Sequence, residues 1–500
     1  MLTTLIRQEL LNYLMTFRFA AAIFIMLLLV VTNTNVLLED YEQRLAGYNT
    51  AVKTHQQLLR TSKTYSDDVL VVDRPPNPLS IFNVGLDKRI GNLVGISINF
   101  VPTLWDARTH GGDNPFLNVF TSMDLVFIFE VVLSLIAFMF AYDAIAGERE
   151  QGTLRLLLTH PLRRGHILIA KYISAMLCLL VPLLLSLLFA LILLTTSPSF
   201  SLSIHDFLCL GGIILSSVAY LSVFYLIGML ISASTRATSI ALMLSMFVWG
   251  FLIIAYPNMI LTAIETTPPA GTGLSTYNQI KQIWEEFDTE RKQFLIDDKM
   301  PGEDWTFDIM GRGYSFRSSK NNLSALLYYN QLGLYYETLL DESQPQVPHA
   351  QNYYRFVGRR TLDIANKTWI VRKPALEAIY VQPATLETSW LKLSPVGIYD
   401  TATQAWAGTD IRGVRDFFDA ARRYRQIVTD YFYDTDAFGS RQWFSADNGA
   451  ADWTRLPQFS FQRNDVGVNA KRALPNLFLL LMINAVLFTI TFLVFLKIEV

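Results

Sequence analysis

Six blocks of apolar residues, separated by polar stretches, dominate the pattern of this 500-residue chain. Because an α-helix rises about 1.5 Å per residue, each block is long enough to cross a hydrocarbon core of roughly 30 Å. The pattern therefore predicts a membrane-embedded all-α bundle of six transmembrane helices. The predicted spans are residues 19–38, 125–142, 167–194, 207–231, 238–256 and 474–496.

Basic residues in the short connections predict the orientation, because Lys and Arg near the ends of spans resist translocation. They occur in segment 1–18, between the second and third spans, between the fourth and fifth, and after the sixth, whereas the short opposite connection 195–206 has none. We therefore expect both termini to lie in the cytoplasm. The residues are Arg7, Arg18, Arg149, Arg155, Arg163, Arg164, Lys171, Arg236 and Lys497.

The first long polar segment, 39–124, is predicted to be periplasmic. Apolar positions at helical spacing, such as Tyr41, Leu45 and Val52, indicate an amphipathic helix. This helix either continues the first span as a stalk or lies on the bilayer surface. Residues 69–72 and 94–100 have the pattern of strands, so a small α+β lobe is expected.

The second long segment, 257–473, is also predicted to be periplasmic, as a large helix-rich α+β domain. A breaker at 266–271 precedes a helix with one apolar face, and a tyrosine-rich helix is predicted through 323–340. Residues 288–390 carry no recognisable motif. The face of the first helix consists of Ile280, Ile283, Trp284, Phe287, Phe294 and Leu295.

The best-defined helix of this segment begins near the possible caps Thr409 and Asp410. One stripe is apolar, and a second set of positions carries five arginines that could bind an anionic ligand or partner, or could simply be solvated. The apolar stripe is Val414, Phe417, Phe418, Ala421, Tyr424, Val428 and Tyr431. The arginines are Arg412, Arg415, Arg422, Arg423 and Arg425.

Composition argues against several classes of function. The net charge is −2, with no basic field for nucleic acid. Both cysteines, Cys178 and Cys209, fall in predicted spans, so no disulfide is expected. There is no phosphate-binding glycine loop, and the six histidines are scattered, so neither an enzyme nor a metal or cofactor site is predicted in this chain.

Two residues inside predicted spans are unusual. Glu130 is costly in a bilayer unless it faces protein or water. It could line a translocation path, or it could be hydrated or hydrogen-bonded to a neighbouring helix. Pro182 is expected to kink the third span.

The polar connection 143–166 carries the strongest functional signal. Gly147-Glu148-Arg149-Glu150-Gln151-Gly152-Thr153-Leu154 brings charges and two glycines together where the second span leaves the bilayer, and an apolar run follows. Such a surface suits docking of a soluble partner. A connection adsorbed on lipid, with Arg163 and Arg164 on phosphates, is the alternative.

The run from Tyr142 to Lys171 resembles the signature of the type-2 ABC exporter permeases. The matching positions are the octapeptide above, Pro161, Arg164 and Lys171. The remainder resembles the DUF3526 branch with enlarged outer segments. That likeness rests on Arg74-Pro75-Pro76 with Leu79-Ser80, Leu393-Ser394-Pro395, Ala407-Gly408-Thr409 with the arginine-rich helix, and Leu456-Pro457.

The resemblance implies that segment 1–18 contains an interfacial elbow helix and that connection 143–166 is a coupling helix seated on a separate ATPase. It assigns the ATPase contact to Gly147, Glu148, Arg149, Glu150, Gly152, Thr153 and Leu154. Two permease chains, identical or related, would work in a bacterial inner membrane with two ATPase subunits that bind ATP and Mg²⁺. The movement would either export a substrate or act on a periplasmic protein; a receptor or scaffold without an ATPase is the alternative.

Overall fold

The computed structural model describes residues 2–66, 70–109, 123–153, 164–265, 272–298 and 347–497, and these are mostly helical. Among them, six helices are long and apolar enough to cross a membrane. Each predicted span lies within one of these helices. They are Phe17–Thr61 (α2), Leu125–Glu150, Arg164–Thr195 (α5), Ile204–Ser234 (α6), Thr238–Ile264 (α7) and Val466–Leu496 (α13).

The second of these helices is not uniform. It consists of Leu125–Ile128, a π-helical turn Phe129–Leu133 and Ser134–Ala141 (together α3), followed by a turn and the short helix Ala146–Glu150 (α4). The helix α1 (Leu2–Leu14) precedes the first span. Within α5, the helix continues through Pro182.

The membrane bundle is centred on α6, which is the most buried of the candidate spans. It contacts α3, α13 and the helix α11 (Pro395–Ala407). Tyr220 of α6 stacks on Tyr399 of α11 with ring centroids 4.3 Å apart, and Ser217 shares a hydrogen bond of 2.7 Å with the same tyrosine hydroxyl. By contrast, only 11% and 17% of the apolar windows of α7 and α13 are buried, as expected for surfaces that meet lipid or another chain.

The helix α2 runs for 45 residues without a break, from Phe17 to Thr61. The Thr16 side chain accepts a hydrogen bond from the Phe19 N–H and so caps its beginning. Beyond the membrane half, His55 pairs with Asp73 at 2.8 Å and Arg44 pairs with Asp87 at 3.0 Å. These contacts support the stalk interpretation of the sequence, since the second half of α2 continues the span.

A second hydrophobic core lies outside the membrane bundle, and we call the part built around it the lobe. It includes an antiparallel pair of strands, β1 (Val71–Asp73) and β2 (Leu93–Gly95), with Val72 opposite Val94. The strand predicted for 94–100 is shorter, because the Ser97 side chain accepts a hydrogen bond from the Asn99 N–H and turns the chain. Val69, at the start of the other predicted strand, is outside the described residues.

Helices complete the lobe. They are α8 (Thr272–Asp297), α9 (Val347–Leu376) and α12 (Ile411–Asp434). Helix α10 (Gln382–Leu391) instead contacts α11 and the end of α7. The whole predicted apolar stripe of α12 is buried, and Asp410 caps that helix by accepting a hydrogen bond from the Gly413 N–H at 2.9 Å. Ile280, Trp284 and Phe287 are buried on α8, with the rest of the predicted face packed beside them. The predicted breaker at 266–271 and helix through 323–340 lie outside the described residues.

Candidate coupling site

The polar connection after α3 is anchored to the end of α6. The backbone N–H groups of Ile145 and Ala146 donate to Oγ of Ser232 at 3.0 and 2.9 Å. A hydroxyl oxygen has two lone pairs, so one buried serine satisfies both donors. This contact fixes the point from which α4 begins.

A buried lysine joins three helices at the same end of the bundle. Lys171 Nζ of α5 lies 2.6 Å from Oε1 of Glu148 in α4 and 3.0 Å from Oε1 of Glu9 in α1, and its side chain is 4% exposed. Ser174 Oγ also donates to the backbone carbonyl of Ile6, so α1 runs antiparallel along α5. Such a buried cation is tolerated because two carboxylates offset its charge.

Glu150 links α4 to α7. Its Oε2 accepts hydrogen bonds from the N–H of Thr238 at 2.9 Å and from the hydroxyl of Thr238 at 2.7 Å. The first N–H groups of a helix lack intrahelical partners, and negative charge is favourable there. Glu150 therefore acts as a cap for α7.

The two glycines of the motif are required for different structural reasons. A Cβ on Gly147 would lie 3.3 Å from the Cβ of Asp143, so a larger residue would crowd the turn before α4. Gly152 has a φ of 75°, the left-handed region in which residues with a Cβ are strained, although the space around it is open. Gly152 thus allows the chain to turn away after α4.

The predicted coupling residues that the structure describes therefore lie together on one turn, and some face the helices of the bundle whereas others face away from it. The carboxylates of Glu148 and Glu150 bind groups of the same chain. Arg149 is half-buried, and Gly152 and Thr153 are exposed, with the Thr153 hydroxyl donating to the Glu148 carbonyl at 3.2 Å. The seventh predicted residue, Leu154, lies outside the described residues.

Sequence reasoning missed the residues that hold this turn from other helices. Glu9, Ser232 and Thr238 are each more than 80 positions away from their partners in the chain. One signal could have identified Glu9: it is the one acidic residue of α1, whose other residues are apolar or neutral except for one arginine. No comparable signal marks Ser232 or Thr238.

The two other predicted sites have different surroundings. Glu130 lies in the π-helical turn of α3, where its backbone carbonyl accepts a hydrogen bond from the Tyr220 hydroxyl at 3.0 Å. Its carboxylate has no hydrogen-bond partner among the described residues. A role in a translocation path stays a prediction.

The arginines of α12 do not form one exposed face. Arg425 is buried and donates to the carbonyls of Ser97 and Ile98 at 2.9 and 3.0 Å. Arg422 donates to the carbonyl of Pro102 and pairs with Asp419. These two arginines hold the chain that follows β2, because a guanidinium can serve several acceptors at once. Arg412 and Arg423 are exposed and Arg415 is half-buried.

The described ranges contain no group of three or more His, Cys, Asp or Glu placed to hold a metal ion. Cys178 and Cys209 are both buried, unpaired thiols.

Comparison with known proteins identifies the family to which the chain is related. The family described as ABC-2 family transporter protein matches residues 3–342, and the domain of unknown function DUF3526 matches residues 377–462. Two relatives named probable ABC transporter permease protein NosY, from Pseudomonas aeruginosa and Stutzerimonas stutzeri, are each 40% identical over 87 residues.

Each of these alignments covers 16% of this chain and 32% of the relative, so the chain spans about a third of the length of the curated relatives that it matches. The ABC-2 match, in contrast, extends over more than half of the chain and includes α1 to α8 with the turn around α4. The resemblance seen in the sequence is thereby confirmed, and the protein belongs to the ABC-2 family of multi-pass transporter permeases.

Proposed function

We propose that this chain is the permease subunit of an ABC-2 system, in which a separate ATPase drives the membrane helices through the turn Gly147–Thr153. Family membership implies an ATPase partner. In this proposal two permease chains work with two ATPase subunits in the bacterial inner membrane. ATP and Mg²⁺ are bound by the ATPase, and the coupling turn and both termini lie in the cytoplasm.

The observation that carries the proposal is how the turn is attached. Its outer side presents Arg149 and Thr153, whereas its carboxylates bond Lys171 of α5 and Thr238 of α7, and the backbone just before it bonds Ser232 of α6. A force on the exposed side is therefore passed to several membrane helices by short polar contacts. A turn that only rested on lipid would need no such attachment.

Arg149→Ala tests the proposal. In a complex co-expressed with its ATPase, we expect the variant to insert normally but to lose the stimulation of ATP hydrolysis that the permease confers, because a charge-assisted contact with the ATPase is removed. Arg412→Ala, which changes an exposed arginine on the lobe, is the matched control and should retain stimulation. Normal stimulation in Arg149→Ala would contradict the proposal.

The output of the movement is proposed to be mechanical action on a protein that binds the lobe. The lobe has a hydrophobic core of its own, and the continuous helix α2 connects it directly to the membrane bundle. Export of a substrate is the second candidate, favoured by the unpartnered Glu130 carboxylate. Failure to co-purify with any ATPase would instead favour a receptor or scaffold.

A further inference from the structure

The two edges of the two-stranded sheet in the lobe differ in their backbone partners among the described residues. On the far edge of β2, Leu93 and Arg108 exchange backbone hydrogen bonds of 3.1 and 2.9 Å, so that edge is occupied. On the other side of the sheet lies β1, whose backbone alternates between groups that face β2 and groups that face away.

Val71 carries the outward-facing groups of β1. The bonds from Ile96 N–H to the Leu70 carbonyl and from Arg74 N–H to the Asn92 carbonyl, both 2.7 Å, identify residues 70, 72 and 74 as the ones facing β2. The N–H and carbonyl of Val71 therefore point away from β2, and no partner for them occurs in the described part of the chain. A strand edge of this kind is a template for another strand.

A cleft of about 600 Å³ lies beside this edge. Its other walls are the stalk half of α2, with Tyr48, Val52 and Leu59, and the irregular segment 451–461. That segment is held on α12 through ring contacts of Phe459 with Tyr424 at 5.3 Å and with Phe417 at 6.0 Å. The cleft thus has a backbone edge on one side, and its other walls combine apolar side chains with polar and charged ones.

We propose that this cleft binds an extended segment of a partner polypeptide, which adds to β1 as a strand. A peptide backbone offers an acceptor and a donor at the spacing of the Val71 N–H and carbonyl, and its alternate side chains would enter between Tyr48 and Val52. A lipid chain or another apolar ligand would leave the backbone groups of Val71 unsatisfied. The volume is in the range of about 300–1,000 Å³ found for ligand sites.

This inference deepens the proposed function and rests on it in one respect: if the lobe acts on a partner protein, this cleft is where the lobe binds that protein. Binding itself needs no ATPase. Peptide binding and ATPase coupling are consequently separate measurements, and either one can fail alone.

The test uses the full chain in lipid nanodiscs and a displayed library of random heptapeptides, with empty nanodiscs for counter-selection. Val71→Pro removes the outward N–H while leaving the bonds to β2 intact, and Val71→Thr is its matched control. Val52→Lys places a charge in the cleft from α2 without touching the sheet, and Thr54→Lys on an exposed position is its control.

We expect selected peptides with apolar residues at alternate positions, bound equally by the wild-type chain and both controls. Val71→Pro and Val52→Lys should each bind them about tenfold more weakly or worse. Three results would overturn the inference: no enrichment over empty nanodiscs, unchanged affinity in both cleft variants, or slow hydrogen exchange of the Val71 amide in the chain without peptide, which would indicate that a segment of this chain already occupies the edge.

Discussion

Replacing Lys171 by Met tests whether the buried ion triad at the coupling site stabilises the bundle. The substitution leaves the carboxylates of Glu9 and Glu148 without their shared cation, and their side chains are only 19% and 21% exposed. Removing one partner of a buried pair costs about 3–5 kcal/mol, and the residual exposure favours the lower limit, about 3 kcal/mol. For a chain of this length we expect the Tm of the full protein in detergent to fall by about 3–6 °C.

Two further variants make the measurement specific. Lys281→Met removes a pair with Glu285 whose side chains are 46% and 51% exposed, so its cost should be below about 0.5 kcal/mol. Adding Glu9→Gln and Glu148→Gln to Lys171→Met removes the unpaired charges and should recover much of the lost Tm. The reasoning is refuted if Lys171→Met melts with the wild-type chain, or if the triple variant melts no higher than the single one.

Two other predictions concern packing and pH. The indole of Trp406 lies where a Cβ on Gly212 would be, so Gly212→Ala should destabilise the chain by about 1–3 kcal/mol. Gly211 faces open space, so Gly211→Ala should stabilise the chain by up to about 1 kcal/mol. Equal Tm values for the two variants would contradict this prediction. Burial raises the pKa of Asp124 from 3.8 to about 7, so the folded state holds the proton more tightly than the unfolded state. The Tm should therefore fall as the pH rises from about 4 to about 7, and Asp124→Asn should lose this component; an unchanged slope in the variant would exclude it.

The membrane helices were predictable because the bilayer imposes one strong requirement, a long apolar helix, on every span. The stripe of α12 was predictable for a similar reason, since a helix that covers a core repeats its apolar residues at helical spacing. These features depend on residues close together in the sequence, and the structure contains them.

The contacts of the candidate site were harder to predict from the sequence. The motif identified which turn matters, but not that Glu148 faces Lys171 and Glu150 caps α7, because both contacts depend on how the helices pack. Likewise, the charge pattern of α12 gave no reason to separate Arg425, which is buried, from Arg423, which is exposed. Burial of a charged side chain is decided by acceptors elsewhere in the chain, here the carbonyls after β2.

The unbroken course of α2 limits how the two halves of the molecule can move. A helix bends sharply only where its backbone hydrogen bonds are interrupted, and α2 contains neither a proline nor a π-helical turn. From Leu38 to Thr61 it extends about 35 Å, so a tilt of about 10° in the membrane half would carry its far end sideways by about 6 Å. A small rotation of the first span therefore produces a larger displacement of Thr61 and of the start of the lobe.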